Sequence, residues 1–404
     1  MKIDDKTSHN SPSLRFPEFT GEWKEERLSE IADIYKGAGI SKDQLSDNGE
    51  PCILYGELYT KYKTETITEV ISRTDIDNTK LVRSKANDVI IPCSGETAED
   101  IATARCVIKD GILLGGDLNI IRLHNYDGSF VSYQLNGKRK YDIAKVAQGV
   151  SVVHLYGEHL KGVKTVNPCL AEQKKISRFL SLLDERIAVQ SRLIEDLKKF
   201  KCAIVENVLN SRHPRMIRLG DIGSYIRGLT YSSNDVVEQN GTFIMRSNNI
   251  VNGCSLDYYN DVVSVNKRIS KEQMLQNGDI IICMANGCSA LVGKSSFYDG
   301  KCPRSITVGA FCGIYRSEEP IVKWLFQTNR YRRYIWNSLQ GGNGAIANLN
   351  GEDILRMSFP IPDAPVKNNC VKLLTSVDFM IENATSLCVL YTSQKEYLLR
   401  QMFI

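Results

Sequence analysis

The chain contains one sequence pattern twice. Residues 27–31 (RLSEI) recur as residues 218–222 (RLGDI), and residues 88–91 (DVII) recur as residues 279–282 (DIII), both at a shift of 191 positions. A duplication on this scale predicts two copies of one domain, and therefore two similar binding faces. Two similar faces suit a ligand that itself repeats in space, of which duplex DNA is the commonest.

The composition is that of a globular protein with room for two domains. With 404 residues, 42% of them hydrophobic and 24% charged, each copy is long enough to bury a full core. The net charge of +4 permits nucleic-acid binding through local patches but does not require it. No apolar stretch approaches about 18 residues and the N-terminus has no signal-peptide pattern, so we expect a cytoplasmic protein without a membrane span. The 12 cysteines show no C-x-x-C spacing, which favours reduced thiols.

The pattern divides the chain into five segments. A polar lead-in precedes the first domain, and each domain is followed by one long helix. The segments are 1–22 (lead-in), 23–169 (domain 1), 170–211 (helix 1), 215–363 (domain 2) and 366–404 (helix 2). Short β-rich runs alternate with turns in each domain, which predicts an α+β fold with mixed, β-rich sheets and helices. The expected strands include residues 89–92, 112–116 and 119–122 in the first copy and residues 242–245 and 313–316 in the second.

The two long segments share a coiled-coil pattern. Ten positions beginning at Ile176 step by 4 and 3 residues, and eight of the ten are apolar. The same positions recur 194 residues later, so both helices carry this seam. About 38 residues at ~1.5 Å per residue would give a rod of about 57 Å. We expect the two helices to pair; the alternative is that each helix packs on its own domain.

One lysine in the seam of each helix indicates their relative direction. In a parallel pair, Lys201 and Lys395 would meet in one layer and repel each other. In an antiparallel pair, Lys201 would lie near Val377 and Lys395 near Leu183. Each lysine stem could then cover apolar surface while its ammonium reached water. The sequence therefore predicts an antiparallel pair with a domain at each end.

No catalytic or cofactor site emerges from the sequence. Gly287 and Gly293 are separated by five residues where a phosphate loop has four, and strand-like sequence follows where a helix is needed. Asn167-Pro168 lacks the second proline and the aromatic residue of the amino-methyltransferase motif, and a turn before the helix explains it better. The five histidines show no metal-ligand spacing. We therefore expect a chain without catalytic activity that binds neither a cofactor nor a metal.

Two repeated features are compatible with DNA binding. The first is a basic segment, residues 139–141 (RKY) and 332–334 (RRY), whose cations could hold phosphates. The alternative is a solvated helix face whose aromatic residues belong to the core; those aromatics are Trp324, Phe326, Tyr331 and Trp336. The second feature is the loop after an early strand, residues 55–58 (YGEL) in one copy and 246–249 (RSNN) in the other. If the two copies recognise different bases, we expect similar strands with different loop side chains. Neutral drift of exposed loops gives the same pattern.

Loop position and side-chain type give the candidate DNA contacts. Arginine suits guanine and asparagine suits adenine at the major-groove edge, and a Gln-Gly pair follows each basic segment. In the first copy the candidates are Lys36, Tyr55, Glu57, Ser94, Arg139, Lys140 and Gln148. In the second copy they are Arg227, Arg246, Asn248, Asn249, Asn286, Arg332, Arg333, Gln340 and Asn343.

The start of the chain and the start of the first long helix carry the most specific motifs. Residues 14–19 (LRFPEF) are followed by Trp23, and each copy begins with an R-L-x-x-I pattern. Residues 168–176 (PCLAEQKKI) open the first helix, whereas residues 364–369 (APVKNN) replace that run in the second copy. On these motifs the chain resembles the specificity subunits of type I restriction–modification enzymes over nearly its whole length.

The resemblance implies a function and a set of partners. Each domain would be a target-recognition domain for one half of a split DNA sequence, and the helix pair would set the length of the spacer that is not recognised. Two modification subunits would use S-adenosylmethionine to methylate adenines flipped out of the duplex. Two restriction subunits would supply ATP- and Mg-dependent translocation and cleavage. A stand-alone DNA-binding regulator and a coiled-coil protein adaptor remain the alternatives.

Overall fold

The computed structural model describes residues 11–77, 79–149, 152–209, 215–339 and 347–404. It consists of two compact units, which are described separately. Unit 1 comprises the chain up to Arg192 together with Thr385–Ile404, and unit 2 comprises Leu193–Ala384. Each unit therefore contains one globular domain and a part of both long helices.

Unit 1 holds the first copy of the domain. Its strands β1 to β14 are, in order, Lys24–Arg27, Ala32–Lys36, Leu45–Ser46, Glu50–Ile53, Thr66–Ile67, Ser72–Thr74, Val82–Arg83, Asp88–Pro92, Ser94–Gly95, Arg105–Val107, Leu113–Leu114, Leu118–Leu123, Val153–His154 and Lys164–Asn167. Its helices α1 to α6 are Leu28–Ile31, Glu57–Thr60, Ala98–Ile101, Gly128–Asn136, Lys140–Val146 and Gly157–Leu160. The first long helix, α7, is Leu170–Leu209.

Unit 2 holds the second copy. Its strands β15 to β25 are Arg215–Arg218, Ser224–Arg227, Thr242–Met245, Val263–Val265, Ile280–Cys283, Ala285–Asn286, Ser295–Phe297, Ile306–Val308, Cys312–Arg316, Ala347–Asn348 and Ser358–Ile361. Its helices α8 to α11 are Leu219–Ile222, Val322–Leu325, Asn329–Leu339 and Gly351–Leu355, and the second long helix, α12, is Ala364–Gln401. Short 3₁₀ turns span Lys42–Gln44 in unit 1 and Ser233–Asp235, Ser247–Asn249 and Ser289–Leu291 in unit 2.

The central strands follow the same order in both units, although the described residues form two five-stranded sheets in unit 1 and sheets of four and three strands in unit 2. In unit 1, one sheet has the order β2-β12-β8-β10-β5 and a second has β3-β6-β4-β11-β7. In unit 2, the corresponding orders are β16-β23-β19-β21 and β18-β17-β22. Both second sheets mix a parallel pair (β4 with β11, β17 with β22) with an antiparallel one (β4 with β6, β17 with β18). The predicted duplication and the mixed, β-rich sheets are thus confirmed.

Apolar runs form the central strands because they are covered on both faces. Every residue of β8 (DVIIP) and of β19 (IIIC) is buried. One predicted strand is wrong in extent: instead of residues 112–116, only Leu113–Leu114 is a strand. Gly115 and Gly116 belong to the turn that follows, where a Cβ at Gly37 would overlap the carbonyl oxygen of Gly115.

The seam positions of the two long helices face inward. From Ile176 to Ile204 in α7, from Cys370 to Leu398 in α12 and at Met402 just after it, each predicted seam position is buried or half-buried, while the positions between them are mostly exposed. In unit 1, Ile176 of α7 and Leu398 of α12 enter the same core cluster as Trp23. The helices therefore pair along the seam. In unit 1 both helices also pack on the globular domain, so the two predicted arrangements, helix pairing and packing on a domain, occur together.

Two contacts in each unit show that the helices run antiparallel there. Beside one lysine–aspartate pair in each unit, the Ser191 hydroxyl lies 3.6 Å from the Cys388 sulfur in unit 1, and Val205 and Leu374 share a core cluster in unit 2. In unit 1, Lys395 of α12 lies 2.6 Å from Asp184 of α7. In unit 2, Lys201 of α7 lies 3.1 Å from Asp378 of α12. The predicted layers are thus confirmed, but the expectation that the ammoniums reach water is wrong. The side chains of Lys201 and Lys395 are 8% and 14% exposed, because each ammonium is held by an aspartate next to the predicted layer.

The Lys395 ammonium also joins the helix pair to the domain of unit 1. It lies 2.6 Å from Glu65 as well as from Asp184, and the Tyr133 hydroxyl donates to Asp184 at 2.5 Å. Burial raises the pKa of Asp184. Burial alone would lower the pKa of Lys395, but the two carboxylates raise it above its ordinary value. Lys395 therefore stays charged in this buried cluster.

The second long helix, α12, is long and apolar enough, by length and composition alone, to cross a membrane. A single helix of this kind is weak evidence, because helices that pack in protein interiors pass the same test. The seam residues Leu374, Val377 and Leu398 of α12 are buried against protein. The observed packing thus accounts for these seam positions only, because 22% of the apolar window is buried and side chains such as Phe379, Val389 and Leu390 are exposed.

Candidate nucleic-acid interface

Unit 1 brings several candidate residues together at one end of its first sheet. Strand β2 ends at Lys36 and strand β12 begins after Asp117, with Lys36 Nζ 4.0 Å from Asp117 Oδ1. The Ser94 hydroxyl lies 3.4 Å from the other oxygen of Asp117. Two predicted contacts, Lys36 and Ser94, therefore flank a carboxylate, Asp117, that was not among the predicted contacts.

A short ladder of strands adds a third predicted residue to this place. In the β9–β13 pair, Ser94 lies opposite His154. His154 exchanges two backbone hydrogen bonds with Gln148, at 2.9 and 2.7 Å. We define the unit 1 tip as Lys36, Ser94, Asp117, Gln148 and His154. These side chains can accept and donate hydrogen bonds, which is what recognition of base edges requires.

Unit 2 has a cavity at the corresponding place. Its volume is about 600 Å³, and its walls include the predicted contacts Arg246, Asn248 and Asn286. Phe311 and Tyr231 also line it and were not predicted. We define the unit 2 tip as these five residues. Arg227, the last residue of β16, is exposed and corresponds to Lys36, the last residue of β2.

One aspartate, Asp261, holds two polar side chains of the unit 2 tip in position. Arg246 donates through Nη2 to the backbone oxygen of Asp261 at 2.9 Å, and Asn248 donates through Nδ2 to its carboxylate at 2.8 Å. Asp261 adopts a positive φ of 53°, a conformation that aspartate tolerates better than most residues. Among the described residues, Arg246 Nε is buried without a hydrogen-bond partner. The loop is thus organised before any ligand arrives.

Glu57 and Asn249 shape their loops instead of facing the surface. Glu57 Oε2 accepts from the backbone N–H of Leu54 at 3.1 Å, and Asn249 Oδ1 accepts from the backbone N–H of Arg246 at 2.8 Å. Both side chains are buried, at 5% and 1% exposure. The structure therefore corrects the sequence alignment by one position, because Leu54 and not Tyr55 corresponds to Arg246. We leave Glu57 and Asn249 out of the proposed interface, since their polar atoms serve the backbone.

Tyr55 and the basic segment of unit 1 are less accessible than expected. Tyr55 is half-buried and packs against the core cluster that both sheets of unit 1 contribute to. Arg139 lies 3.6 Å from Asp142 and donates to the backbone oxygen of Ile404 at 3.4 Å. Lys140, the first residue of α5, is half-buried. In this unit the basic segment is mainly engaged with its own surroundings.

The basic segment of unit 2 has an exposed face. Arg332 and Arg333 of α10 are exposed, and Trp336 is 67% exposed on the same helix. The other aromatics of that region, Trp324, Phe326 and Tyr331, are buried, so the core alternative holds for them and not for Trp336. Arg332 also lines a cavity of about 660 Å³. The predicted contacts Gln340 and Asn343 lie outside the described residues.

The described residues contain no cluster of three histidine, cysteine, aspartate or glutamate side chains that could hold a metal ion.

Burial raises the pKa of the Cys93 thiol, behind the unit 1 tip, to about 11. Thiols of this kind are protonated at neutral pH. The geometry of both tips is suited to recognition by hydrogen bonds and apolar contact.

Comparison with known proteins gives matches along the chain. Residues 20–199 match the family model described as "Type I restriction modification DNA specificity domain". Over 149 residues the chain is 32% identical to the EcoKI specificity subunit of Escherichia coli K12, covering 35% of this chain and 31% of that one. It is 21% identical over 402 residues to the MjaVIII specificity subunit of Methanocaldococcus jannaschii, covering 91% and 88%. The aligned region spans about a third of the length of the E. coli relative.

The fold also matches a solved structure. The type I restriction–modification S subunit from M. genitalium superposes with a TM-score of 0.67 over 98% of this chain and 99% of that one. The sequence identity is 15%, so this match shows a shared fold and no more. It covers the second copy and the second long helix, which the family model does not reach.

Proposed function

We propose that this protein is a type I restriction–modification specificity subunit, because residues 20–199 match the family model of type I specificity domains and the chain shares the fold of a solved S subunit. It recognises a bipartite DNA target, with one half-site for each unit. The paired helices α7 and α12 set the length of the spacer between the half-sites. The chain itself needs no cofactor.

The observation that carries this proposal is the pair of tips. They lie at the same end of the same sheet in two copies of one fold, yet they present different side chains. At matched positions, Asp117 and Leu54 of unit 1 are replaced by Phe311 and Arg246 in unit 2, whereas Lys36 and Arg227 are both cations. Two equal frameworks with unequal recognition groups suit two unequal half-sites.

We propose that catalysis belongs to partner subunits in the cytoplasm. Two modification subunits, with S-adenosylmethionine, methylate adenine, and two restriction subunits, with ATP and Mg, translocate and cleave DNA. The "EcoKI specificity subunit" is named as part of a restriction enzyme, which supports the same division of labour here.

Salt-dependent DNA binding separates this proposal from its two alternatives. We expect the chain, co-expressed with its modification partner, to bind duplex DNA containing its target with an affinity that falls steeply as salt rises, because phosphate contacts release counterions. The measurement is a fluorescence-anisotropy titration at several salt concentrations. Equally tight binding by the chain alone would favour a stand-alone regulator, and the absence of salt-dependent binding in both samples would favour a protein adaptor.

A further inference from the structure

Asp117 and Phe311 occupy one and the same position in the two units. Each residue directly precedes a matched strand, β12 or β23. The backbone oxygen of Asp117 accepts from the N–H of Cys93 at 2.6 Å, and that of Phe311 accepts from the N–H of Met284 at 2.8 Å. These hydrogen bonds tie both residues to equivalent points just after the buried strands β8 and β19.

The turn that carries this position is built alike in both units. A Cβ at Gly37 would overlap the carbonyl oxygen of Gly115, and a Cβ at Gly228 would overlap that of Gly309. The backbone N–H groups of Gly115 and Gly309 also bond to the ends of the matched strands β4 and β17. Close backbone packing therefore fixes the turn, and the side chain at its last position is what differs.

The two side chains are exposed and chemically unlike. The side chain of Asp117 is 51% exposed beside Lys36 and Ser94, and the residue has a positive φ of 58°. Such a conformation is uncommon outside glycine and is tolerated by aspartate and asparagine. Phe311 is 67% exposed and lines the cavity with Arg246 and Asn286. An aromatic side chain in the wall of a cavity that also holds polar groups can make an apolar contact with a ligand bound there.

We propose that this position is a specificity determinant in each unit, and this inference rests on the proposed function. Asp117 accepts a hydrogen bond from the N4 amino group of a cytosine in the first half-site, which a carboxylate can do and a phenyl ring cannot. Phe311 packs against the methyl group of a thymine in the second half-site. Lys36 lies close enough to Asp117 to offset the repulsion between its carboxylate and the DNA phosphates.

The test compares methylation patterns in host cells that express the wild-type chain or one of two variants at low level. Asp117→Asn keeps the shape and tolerates the positive φ, and we expect roughly tenfold weaker discrimination at one base pair of the first half-site. Phe311→Asp exchanges the chemistry of the two units, and we expect the second half-site to favour cytosine over thymine at one position. Each variant leaves the other half-site unchanged, which serves as an internal control. Single-molecule sequencing gives the methylated fraction at every near-cognate site.

A matched control comes from the same sheet. Asp33→Asn changes an exposed aspartate of β2 that faces Arg122 and His124, away from the unit 1 tip, and we expect it to keep the wild-type motif. A uniform loss of methylation at all sites, or an unchanged motif in both tip variants, would overturn the inference while leaving the proposed function standing. If the wild-type chain itself directs no bipartite motif, the proposed function fails and the inference fails with it.

Discussion

Arg246 and Asn249 stand three residues apart in one loop and have different roles. Arg246 lines the cavity of the unit 2 tip, with its Nη2 held by the backbone of Asp261. Asn249 is buried, accepts from the backbone of Arg246 and donates to the backbone oxygen of Asn260 at 2.7 Å. At the scale of the residue, burial and hydrogen-bond partners therefore decide which polar side chain is available to a ligand.

This difference gives a prediction with a control from the same loop. Arg246→Ala should relax the preference for one base of the second half-site by about 1–3 kcal/mol, as expected for loss of a base contact. Asn249→Ala should instead lower the free energy of unfolding by about 1–2 kcal/mol and keep the base preference, because it removes two buried hydrogen bonds. Competition binding against single-base variants and thermal unfolding separate the two effects. A uniform loss of affinity in Arg246→Ala would make Arg246 a phosphate contact.

Buried ion pairs determine how the long helices pair at the scale of the element. The apolar positions of the seam alone permit either direction, but Lys395 pairs with Asp184 in unit 1 and Lys201 pairs with Asp378 in unit 2. In unit 2, the Trp324 indole N–H donates to Asp378 at 3.1 Å and so links the Lys201–Asp378 pair to the globular domain. In unit 1, Glu65 links the Lys395–Asp184 pair to its domain in the same way. A wrong register would leave these charges buried without partners, at a high cost in free energy.

Lys395→Met tests this role of the charged cluster. The substitution leaves Glu65 and Asp184 as two carboxylates without their buried cation, so we expect the free energy of unfolding to fall by about 3 kcal/mol. Urea denaturation followed by circular dichroism measures the change. Lys164→Met is the matched control: it breaks a pair with Glu25 in which both side chains are about half exposed, and it should change stability far less. Equal losses in the two variants would contradict the account.

At the scale of the whole molecule, the sequence predicts the architecture better than the interface. The two copies could be predicted because the duplicated motifs are visible in the sequence. The helix seam could be predicted because apolar residues at a 4-and-3 spacing mark the positions that become buried. The sequence could not distinguish Glu57 and Asn249 from DNA contacts. Side chains that bond to the backbone of their own loop are of the same types as side chains that bond to DNA bases. Asp117 and Phe311 were missed because their equivalence depends on backbone hydrogen bonds and not on residue type.

The most direct test of the central claim is a map of methylated adenines in the host genome, with and without the gene for this chain. Single-molecule sequencing reports both the modified base and its sequence context. Our account predicts that a two-part motif with a fixed gap loses its methylation when the gene is deleted and regains it on complementation. An unchanged methylation map, in a host whose modification subunits are expressed, would contradict the account.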